Sequence, residues 1–328
     1  MVKNIPLMTA EIILSDQYNP YLNLAVEQAL LRDTPAETVV MYLWRNRRTV
    51  VIGRHQNPYA ECHVEQLMAD GGHLMRRTTG GGAVYHDLGN LNFTFVAPHA
   101  LYRTDKQFGV LRNALAHFGL ETECSGRNDM LCQGRKFSGN AFSIGKNNRL
   151  HHGTLLIKTD MEALQRYLKP KPSKLRRHGV SSVESRVVNL SELAEITSEN
   201  IVPPLTEEFQ RMYGKARMRT FADCCTEQVC AEARLLADEG FVYGRWRQFH
   251  AQRSGQFAWG SVELALEIDE AAQRILHVEI ATDCLRPDTI EKARQLLDQA
   301  DAAAMPAFDA GSAEEETILN DILHLVYA

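Results

Sequence analysis

One segment of the chain, residues 75–90, combines residue types that are suited to binding an anion. Arg76 and Arg77 are followed by two threonines and by the consecutive glycines 80–82. Arginine offers a planar fork of donors that matches phosphate or carboxylate, and glycine lets backbone N–H groups approach such oxygens closely. The segment predicts a phosphate- or carboxylate-binding loop, in which a side chain at any of the three glycines should block access. A plain glycine hairpin beside two exposed arginines is the alternative.

This segment matches neither of the two common nucleotide-binding fingerprints. No Lys-Ser/Thr pair follows spaced glycines, as in a P-loop, and no G-x-G-x-x-G opens a helix. Residues 83–86 and 91–96 alternate β-branched or aromatic residues with other types, on either side of turn-forming residues 87–90. That pattern predicts two strands, so we expect the anion loop to lead directly into a sheet.

A second group of polar residues follows about fifty positions later. Lys136 lies two residues after Gly134 and just before the small residues Ser138 and Gly139. Small neighbours leave room for a ligand around a lysine ammonium, although most lysines are solvated surface charges. The polar loop setting of Asp129 suits a Mg²⁺ ligand or, equally, an Asx turn. Together the two groups predict a site for an activated carboxylate or phosphate.

The histidines and cysteines of the chain give weaker indications of a functional site. His86 and His152 lie beside glycine-rich turns and could line a pocket, although a histidine on a strand more often packs in a hydrogen-bonded core. The seven cysteines lack the paired spacing of a tetrahedral zinc site, so we expect reduced or buried thiols. Residues 1–6 show no secretion signal, and we expect a cytoplasmic protein.

These motifs, taken together, resemble the lipoate-protein ligase A family. The matching pieces are Trp44, 50–54, 56–58, 76–90, 126–129, 135–136, 138–139, Ala141, 151–156, 181–183, 185–187 and 257–263. The resemblance covers nearly the whole chain, and several separate motifs in the same order argue against chance agreement. The stretch between Asp129 and Lys136 is several residues shorter than in the bacterial members.

The resemblance implies a two-step acyl transfer with ATP, Mg²⁺ and lipoate. Lipoate and ATP would give bound lipoyl-adenylate and pyrophosphate, and a lysine of a lipoyl domain would then attack the anhydride. The implied acceptors are E2 subunits of 2-oxoacid dehydrogenases and the glycine cleavage H protein. Joining two anions needs charge neutralisation and alignment rather than a protein nucleophile. Lys136 is the expected catalytic residue, and the residues expected to hold the adenylate are Arg77, Gly82, Ala83, Val84, Tyr85 and Lys136.

Other activities are also compatible with parts of the sequence. A lipoyltransferase that uses preformed lipoyl-AMP would share these motifs. Octanoyltransferases share the scaffold but carry a nucleophilic cysteine three residues before the position of His152, where this chain has Arg149; Cys132 has no base paired with it in sequence. A non-catalytic lipoate- or carrier-binding module would not need Lys136, and biotin ligases carry a different arginine-glycine signature.

The periodicity of the chain predicts an α/β (α+β) fold with a mixed sheet flanked by helices. Predicted strands cover 11–15, 39–44, 49–53, 136–144 and 150–158, and predicted helices cover 20–32, 61–70, 105–118 and 161–168. By the resemblance, residues 1–246 form a biotin/lipoate ligase-like catalytic domain and residues 255–328 a small α+β domain. The latter has predicted strands 261–268 and 275–280 and helices 288–299 and 314–327. No apolar run reaches the ~20 residues of a membrane span.

Charge is divided unevenly along the 328 residues. Residues 250–328 contain five basic and fifteen acidic residues, which gives this part a formal net charge of −10. Because the whole chain has a net charge of −5, residues 1–249 have a net charge of +5. A basic catalytic part suits ATP and acidic lipoyl domains. Nucleic acid is not an expected partner, because exposed aromatics for base stacking are not evident. We expect a monomer, a lid over the adenylate formed by the basic loop 169–179 with residues 181–183, and a hinge near 244–254.

Overall fold

The computed structural model describes residues 8–125, 128–169, 187–243, 251–269 and 272–327. These residues group into two compact units. One unit contains residues 8–50, 63–75 and 84–238, and the other contains residues 51–62, 76–83 and 239–327. Residues 51–62 and 76–83 therefore group with the C-terminal residues, whereas the sequence-based division at 246 and 255 remains a proposal. The predicted lid residues 170–179 and 181–183 and most of the predicted hinge, residues 244–250, lie outside the described residues.

The strands of the described residues follow in chain order. They are β1 (Thr9–Leu14), β2 (Thr38–Trp44), β3 (Thr49–Ile52), β4 (His73–Arg76), β5 (Val84–His86), β6 (Asn90–Pro98), β7 (Thr122–Ser125), β8 (Asp129–Cys132), β9 (Arg135–Ile144), β10 (Asn148–Leu156), β11 (Ala216–Thr220), β12 (Ala251–Phe257), β13 (Gly260–Asp269) and β14 (Arg274–Thr282).

The α-helices are numbered in the same way. They are α1 (Pro20–Asp33), α2 (Pro58–Glu61), α3 (Val64–Ala69), α4 (Thr104–Ala116), α5 (Met161–Tyr167), α6 (Val202–Tyr213), α7 (Glu227–Leu236), α8 (Glu239–Tyr243), α9 (Pro287–Leu297) and α10 (Ala313–Tyr327); a 3-10 turn covers Leu190–Glu192.

The first unit is built on an eight-stranded mixed sheet in the order β11-β1-β2-β6-β10-β9-β8-β7. Strand β1 runs parallel to β2 and β11, and the remaining characterised pairs are antiparallel. Every residue of β2 and β6 is buried, as expected for central strands of a sheet that is covered on both faces. This arrangement confirms the predicted fold class.

Most predicted elements of this unit are confirmed, and the exceptions have local causes. Asn19 caps α1 as expected, because its side chain accepts hydrogen bonds from the N–H groups of Tyr21 and Leu22. The predicted helix 61–70 is instead two short helices, α2 and α3. Asp129 was wrongly placed in a loop: it is the first residue of β8, a four-residue strand too short to show a pattern and stabilised by pairing with β7 and β9.

The turn at residues 87–90 forms as predicted and joins two sheets. The Asn90 N–H donates to the Asp87 carbonyl at 3.1 Å, and the Gly89 N–H donates to the Asp87 carboxylate at 2.9 Å. Strand β5, before the turn, belongs to a three-stranded sheet in the order β4-β3-β5, whereas β6, after it, lies in the large sheet.

The second unit contains the antiparallel sheet β12-β13-β14 together with helices α9 and α10. Buried aliphatic residues of β13, β14 and the two helices form its core. The two predicted strands and two predicted helices of this part are confirmed. Among the described residues, no helix is both long and apolar enough to cross a bilayer.

Candidate functional site

Lys136 is positioned by a tight hairpin between β8 and β9. Its Nζ lies 2.7 Å from Asp129 Oδ1, and both side chains are about one third exposed. The hairpin turn consists of Gln133 and Gly134, which have φ of 51° and 73°. Positive φ at both central residues is the pattern of a type I′ turn. The short stretch between Asp129 and Lys136 therefore brings the two charges together.

A shift in strand register directs the Lys136 side chain. Leu131 pairs with Lys136, but Met130 pairs with Ser138, so Phe137 is an extra residue on β9. Such a bulge bends the strand and re-aims the neighbouring side chains, and bulges are common beside active sites. A Cβ at Gly139 would lie 3.2 Å from Lys136 Nζ. The absence of a side chain at Gly139 therefore leaves the room that the Lys136 ammonium occupies.

Two asparagines, for which the sequence predicted no role of their own, hold this hairpin in place. The Asn140 N–H and Nδ2 both donate to the Asn128 carbonyl, at 2.8 and 3.1 Å. Asn128 Nδ2 donates to the Asn140 carbonyl in return, at 3.0 Å. The residue preceding Asp129 is therefore tied to the strand that carries Lys136.

Buried His151 supports Asn140. Its Nε2 lies 2.8 Å from Asn140 Oδ1 and its Nδ1 lies 3.0 Å from Gln107 Oε1. Burial lowers the pKa of His151 to about 3, so the ring is neutral and carries one N–H. Because Asn140 Nδ2 is engaged as a donor, Nε2–H donates to Oδ1 and Nδ1 accepts. An oxygen cannot donate to this Nδ1, and Gln107 Nε2 has no other partner among the described residues, so the Gln107 amide is assigned in the flipped orientation, with its NH₂ group donating to Nδ1.

His152 belongs to a second buried polar network in the same unit. Its Nδ1 lies 2.9 Å from both carboxylate oxygens of Glu27, which is fully buried on α1. Thr94 Oγ1 donates to Glu27 at 2.6 Å, and Trp44 Nε1 donates to Thr94 at 3.0 Å. A buried carboxylate needs such partners. The only sequence signal for Glu27 was an acidic residue among the apolar residues of α1.

The side chains of Tyr85 and His86 are buried in the same unit. The Tyr85 ring packs 5.5 Å from the Tyr167 ring, and burial raises the pKa of the Tyr85 phenol. His86 Nδ1 lies 3.3 Å from Asn46 Nδ2, and its ring meets Trp44 edge-on at 6.2 Å. His86 is thus a packed, hydrogen-bonded histidine, and a ligand contact by Tyr85 would have to involve its backbone.

Arg76 and Arg77 are buried, so the alternative of two exposed arginines is wrong. Arg77, 7 % exposed, donates to the carbonyls of Gly80 at 2.6 Å, Gly82 at 2.9 Å and Val51 at 3.3 Å. Its guanidinium therefore holds the glycine loop from within the second unit. Arg76 donates to five other carbonyls of that unit, and burial lowers its pKa to about 10, which leaves it charged at neutral pH.

The three glycines of the loop differ in what surrounds them. A Cβ at Gly80 would lie 1.7 Å from the Cys284 carbonyl oxygen, and the Gly81 N–H donates to that same oxygen at 3.1 Å. Gly81 also has φ of 92°. A Cβ at Gly82 would meet no heavy atom within 4 Å. Gly80 and Gly81 are needed for packing within the second unit, and Gly82 alone of the three leaves open space for a ligand.

The expected adenylate-binding residues are divided between the two units. Arg77, Gly82 and Ala83 belong to the second unit, and Val84, Tyr85 and Lys136 belong to the first.

The seven cysteines are free thiols. Among the described residues, no group of three or more His, Cys, Asp or Glu side chains could hold a metal ion. Burial raises the pKa of Cys132, which disfavours a nucleophilic role for it.

Comparison with known proteins gives consistent matches. The model of the lipoyl protein ligase A/B catalytic domain matches residues 19–210. Lipoate-protein ligase A of Bdellovibrio bacteriovorus is 38 % identical over 290 residues, which are 86 % of this chain and 85 % of that protein. LipL1 of P. falciparum in complex with lipoate superposes with a TM-score of 0.83 at 28 % identity, covering 96 % and 99 % of the two chains. Lipoate-protein ligase A bound with ATP superposes at 0.61 and 26 % identity, covering 73 % and 100 %.

Proposed function

Because this chain belongs to the lipoyl protein ligase A/B catalytic-domain family, we propose that Lys136 and the backbone of residues 82–85 are the groups that handle its activated acyl intermediate. The protein is a lipoate-protein ligase, which activates lipoate with ATP and transfers the lipoyl group to protein. Its reaction passes through lipoyl-AMP and pyrophosphate, and the second step forms an amide with a lysine amine.

One observation carries the proposed role of Lys136. Its ammonium is partly exposed on a bulged strand, held by a carboxylate at 2.7 Å and given space by Gly139. A cation fixed in this way can neutralise charge on the α-phosphate and the acyl oxygen as the anhydride forms, without reorganising during the step. Mixed-anhydride formation between two anions needs this kind of help more than it needs a nucleophile.

Arg77 has a different proposed role. Its guanidinium donates hydrogen bonds to the Thr79 hydroxyl and to the carbonyls of residues 51, 80 and 82. We infer that it fixes the shape of the glycine loop and adds positive charge behind it. The N–H groups at Gly82 and Ala83 are then the direct donors to the nucleotide, beside the open position at Gly82.

Asp129 is the proposed protein ligand of Mg²⁺. Mg²⁺ commonly takes one or two carboxylates and completes its shell with water and phosphate oxygens, so a single acid is compatible with the described residues. When bound, the ion would neutralise phosphate charge.

The proposed acceptors are lipoyl domains, namely those of E2 subunits and of H protein. The enzyme is proposed to act as a monomer. The formal +5 of residues 1–249 supports attraction of acidic partners. The seven free thiols fit the reducing cytoplasm, which is the proposed location.

Pyrophosphate release tests the activation step directly. The purified protein is mixed with ATP, Mg²⁺ and either lipoate, octanoate or biotin, without an acceptor. Lipoate-dependent release is expected in the wild type and in Lys146→Ala, an exposed lysine of the β9–β10 hairpin, and is expected to be lost in Lys136→Ala. No release by the wild type, combined with transfer from supplied lipoyl-AMP, would restrict the enzyme to the transferase step.

A further inference from the structure

Two cysteines that the ligation chemistry does not use lie together at the start of helix α7. Cys225 Sγ and Cys230 Sγ are 3.5 Å apart, and both side chains are partly exposed. Both residues belong to the first unit. Neither lies near Lys136 in sequence, and neither is among the residues that the resemblance assigns to substrate.

The position of the pair on the helix explains the short distance. Thr226 is the N-cap of α7, and its hydroxyl accepts a hydrogen bond from the Val229 N–H at 3.2 Å. Cys225 is therefore at N′ and Cys230 is at N4. These are the two positions whose side chains meet across the first turn of a helix and fix the entry of the chain. Here the meeting side chains are two thiols.

We propose that Cys225 and Cys230 form a reversible dithiol–disulfide site that is oxidised by small-molecule disulfides. A thiolate of the pair attacks the external disulfide RSSR, forming a mixed disulfide and releasing RS⁻. The second thiolate attacks the protein sulfur of that mixed disulfide and releases the other RS⁻. The protein loses two electrons and two protons, and RSSR becomes two RSH.

Cys230 is the attacking thiol. Burial and the hydrogen bond with Cys230 raise the pKa of the Cys225 thiol, which makes Cys225 the less reactive thiol of the pair. Closure needs the two sulfurs to approach from 3.5 Å to the ~2.05 Å of a disulfide.

The neighbouring Cys224 supplies an internal control. It is buried, burial raises the pKa of its thiol, and it adjoins Cys225 in sequence. A disulfide between adjacent residues would need a distorted peptide. All three cysteines fall in one tryptic peptide, residues 220–234, because the arginines that bound it are at positions 219 and 234.

Differential alkylation of the full chain tests the proposal. The protein is incubated with excess oxidised glutathione, treated with iodoacetamide, digested with trypsin and sequenced by tandem mass spectrometry. The expected product is peptide 220–234 alkylated at Cys224 alone and two hydrogen masses lighter, at about tenfold the level of any peptide linked through Cys224. Dithiothreitol should restore three alkylated cysteines.

Variants decide between the remaining outcomes. Cys224→Ser should still close the disulfide, whereas Cys225→Ser should accumulate glutathione on Cys230. Three alkylated cysteines in the oxidised wild type, or stable glutathione adducts on both Cys225 and Cys230, would overturn the proposal. A link that engages Cys224 would also overturn it. None of these readouts depends on the ligase activity.

Discussion

Lys136 Nζ and Asp129 Oδ1 lie 2.7 Å apart across the β8–β9 hairpin, whose two-residue turn has positive φ at both positions. The pair is partly exposed, and such ion pairs contribute only ~0–1 kcal/mol to stability. The proposed role of the pair is therefore to position a charge: the Asp129 carboxylate holds the Lys136 ammonium where it can contact the negative charge of the substrate.

Replacing Lys136 with alanine should abolish lipoate-dependent pyrophosphate release, with a loss of ~10²–10³-fold or more, because a fixed charge for the transition state is removed. The melting temperature should stay close to that of the wild type, because the side chain is partly exposed. Lys146→Ala controls for the loss of a lysine as such. A Lys136→Ala protein that melts normally and releases pyrophosphate at the wild-type rate would refute the assignment.

Gly139→Ala should displace the lysine ammonium without disrupting the fold. The new Cβ would lie 3.2 Å from Lys136 Nζ, which is the far end of a flexible side chain and can move. We expect kcat for adenylation to fall by about tenfold, with KM for ATP changed less. Steady-state kinetics and thermal melting check this together. An unchanged kcat would mean that the lysine does not need its observed position.

The glycine loop should respond differently at each position. Gly80→Val places a side chain against the Cys284 carbonyl and should cost at least ~1–3 kcal/mol by overpacking. Gly82→Val enters open space, so stability should stay within ~0.5 kcal/mol while ATP binding weakens. Urea unfolding and ATP titration calorimetry separate the two effects. Full ATP affinity in a folded Gly82→Val protein would remove the loop from the nucleotide site.

Removing one member of the Glu27–His152 pair should destabilise the first unit strongly. Glu27→Ala leaves His152, Thr94 and the chain of donors behind them without their buried acceptor, so ~3–5 kcal/mol should be lost in urea unfolding. Glu123→Ala, at an exposed position on β7, is the matched control and should be nearly neutral. Equal midpoints for both variants would contradict the observed network.

Acid should destabilise the protein before its carboxylates titrate. The pKa of His151 is about 3 when folded, below the unfolded value near 6.5, so the unfolded state binds the extra proton between these limits. The stabilisation is complete above pH ~6.5 and falls as the pH drops, by up to ~1.4 kcal/mol per pH unit. Burial lowers the pKa of His55 to about 4, which adds a similar term in the second unit.

Urea unfolding from pH 7.5 to 5 measures this slope. His151→Phe removes one of the two titrating groups, at a site ringed by Phe93, Phe95, Phe108 and Phe142, and should reduce the slope to the contribution of His55. A wild-type free energy of unfolding that stays constant over this range would show that His151 accepts a proton without cost.

The sequence by itself determined the family, the fold class and most elements, because long periodic segments and ordered motifs carry that information locally. It predicted roles for Lys136 and the arginine-glycine loop from residue type, spacing and the family resemblance. Only the tertiary structure decided that Asp129 begins a strand, that Arg77 binds its own loop, and that Gly80 and Gly81 pack while Gly82 stays open. The sequence pattern likewise does not show the pairings of Glu27 with His152, Asn140 with His151, and Gly80 with Cys284, because these form only when separate elements of the fold meet. The type of a residue limits which groups it can bind, but the neighbours that it has in the fold determine which of its donors and acceptors remain available for a ligand.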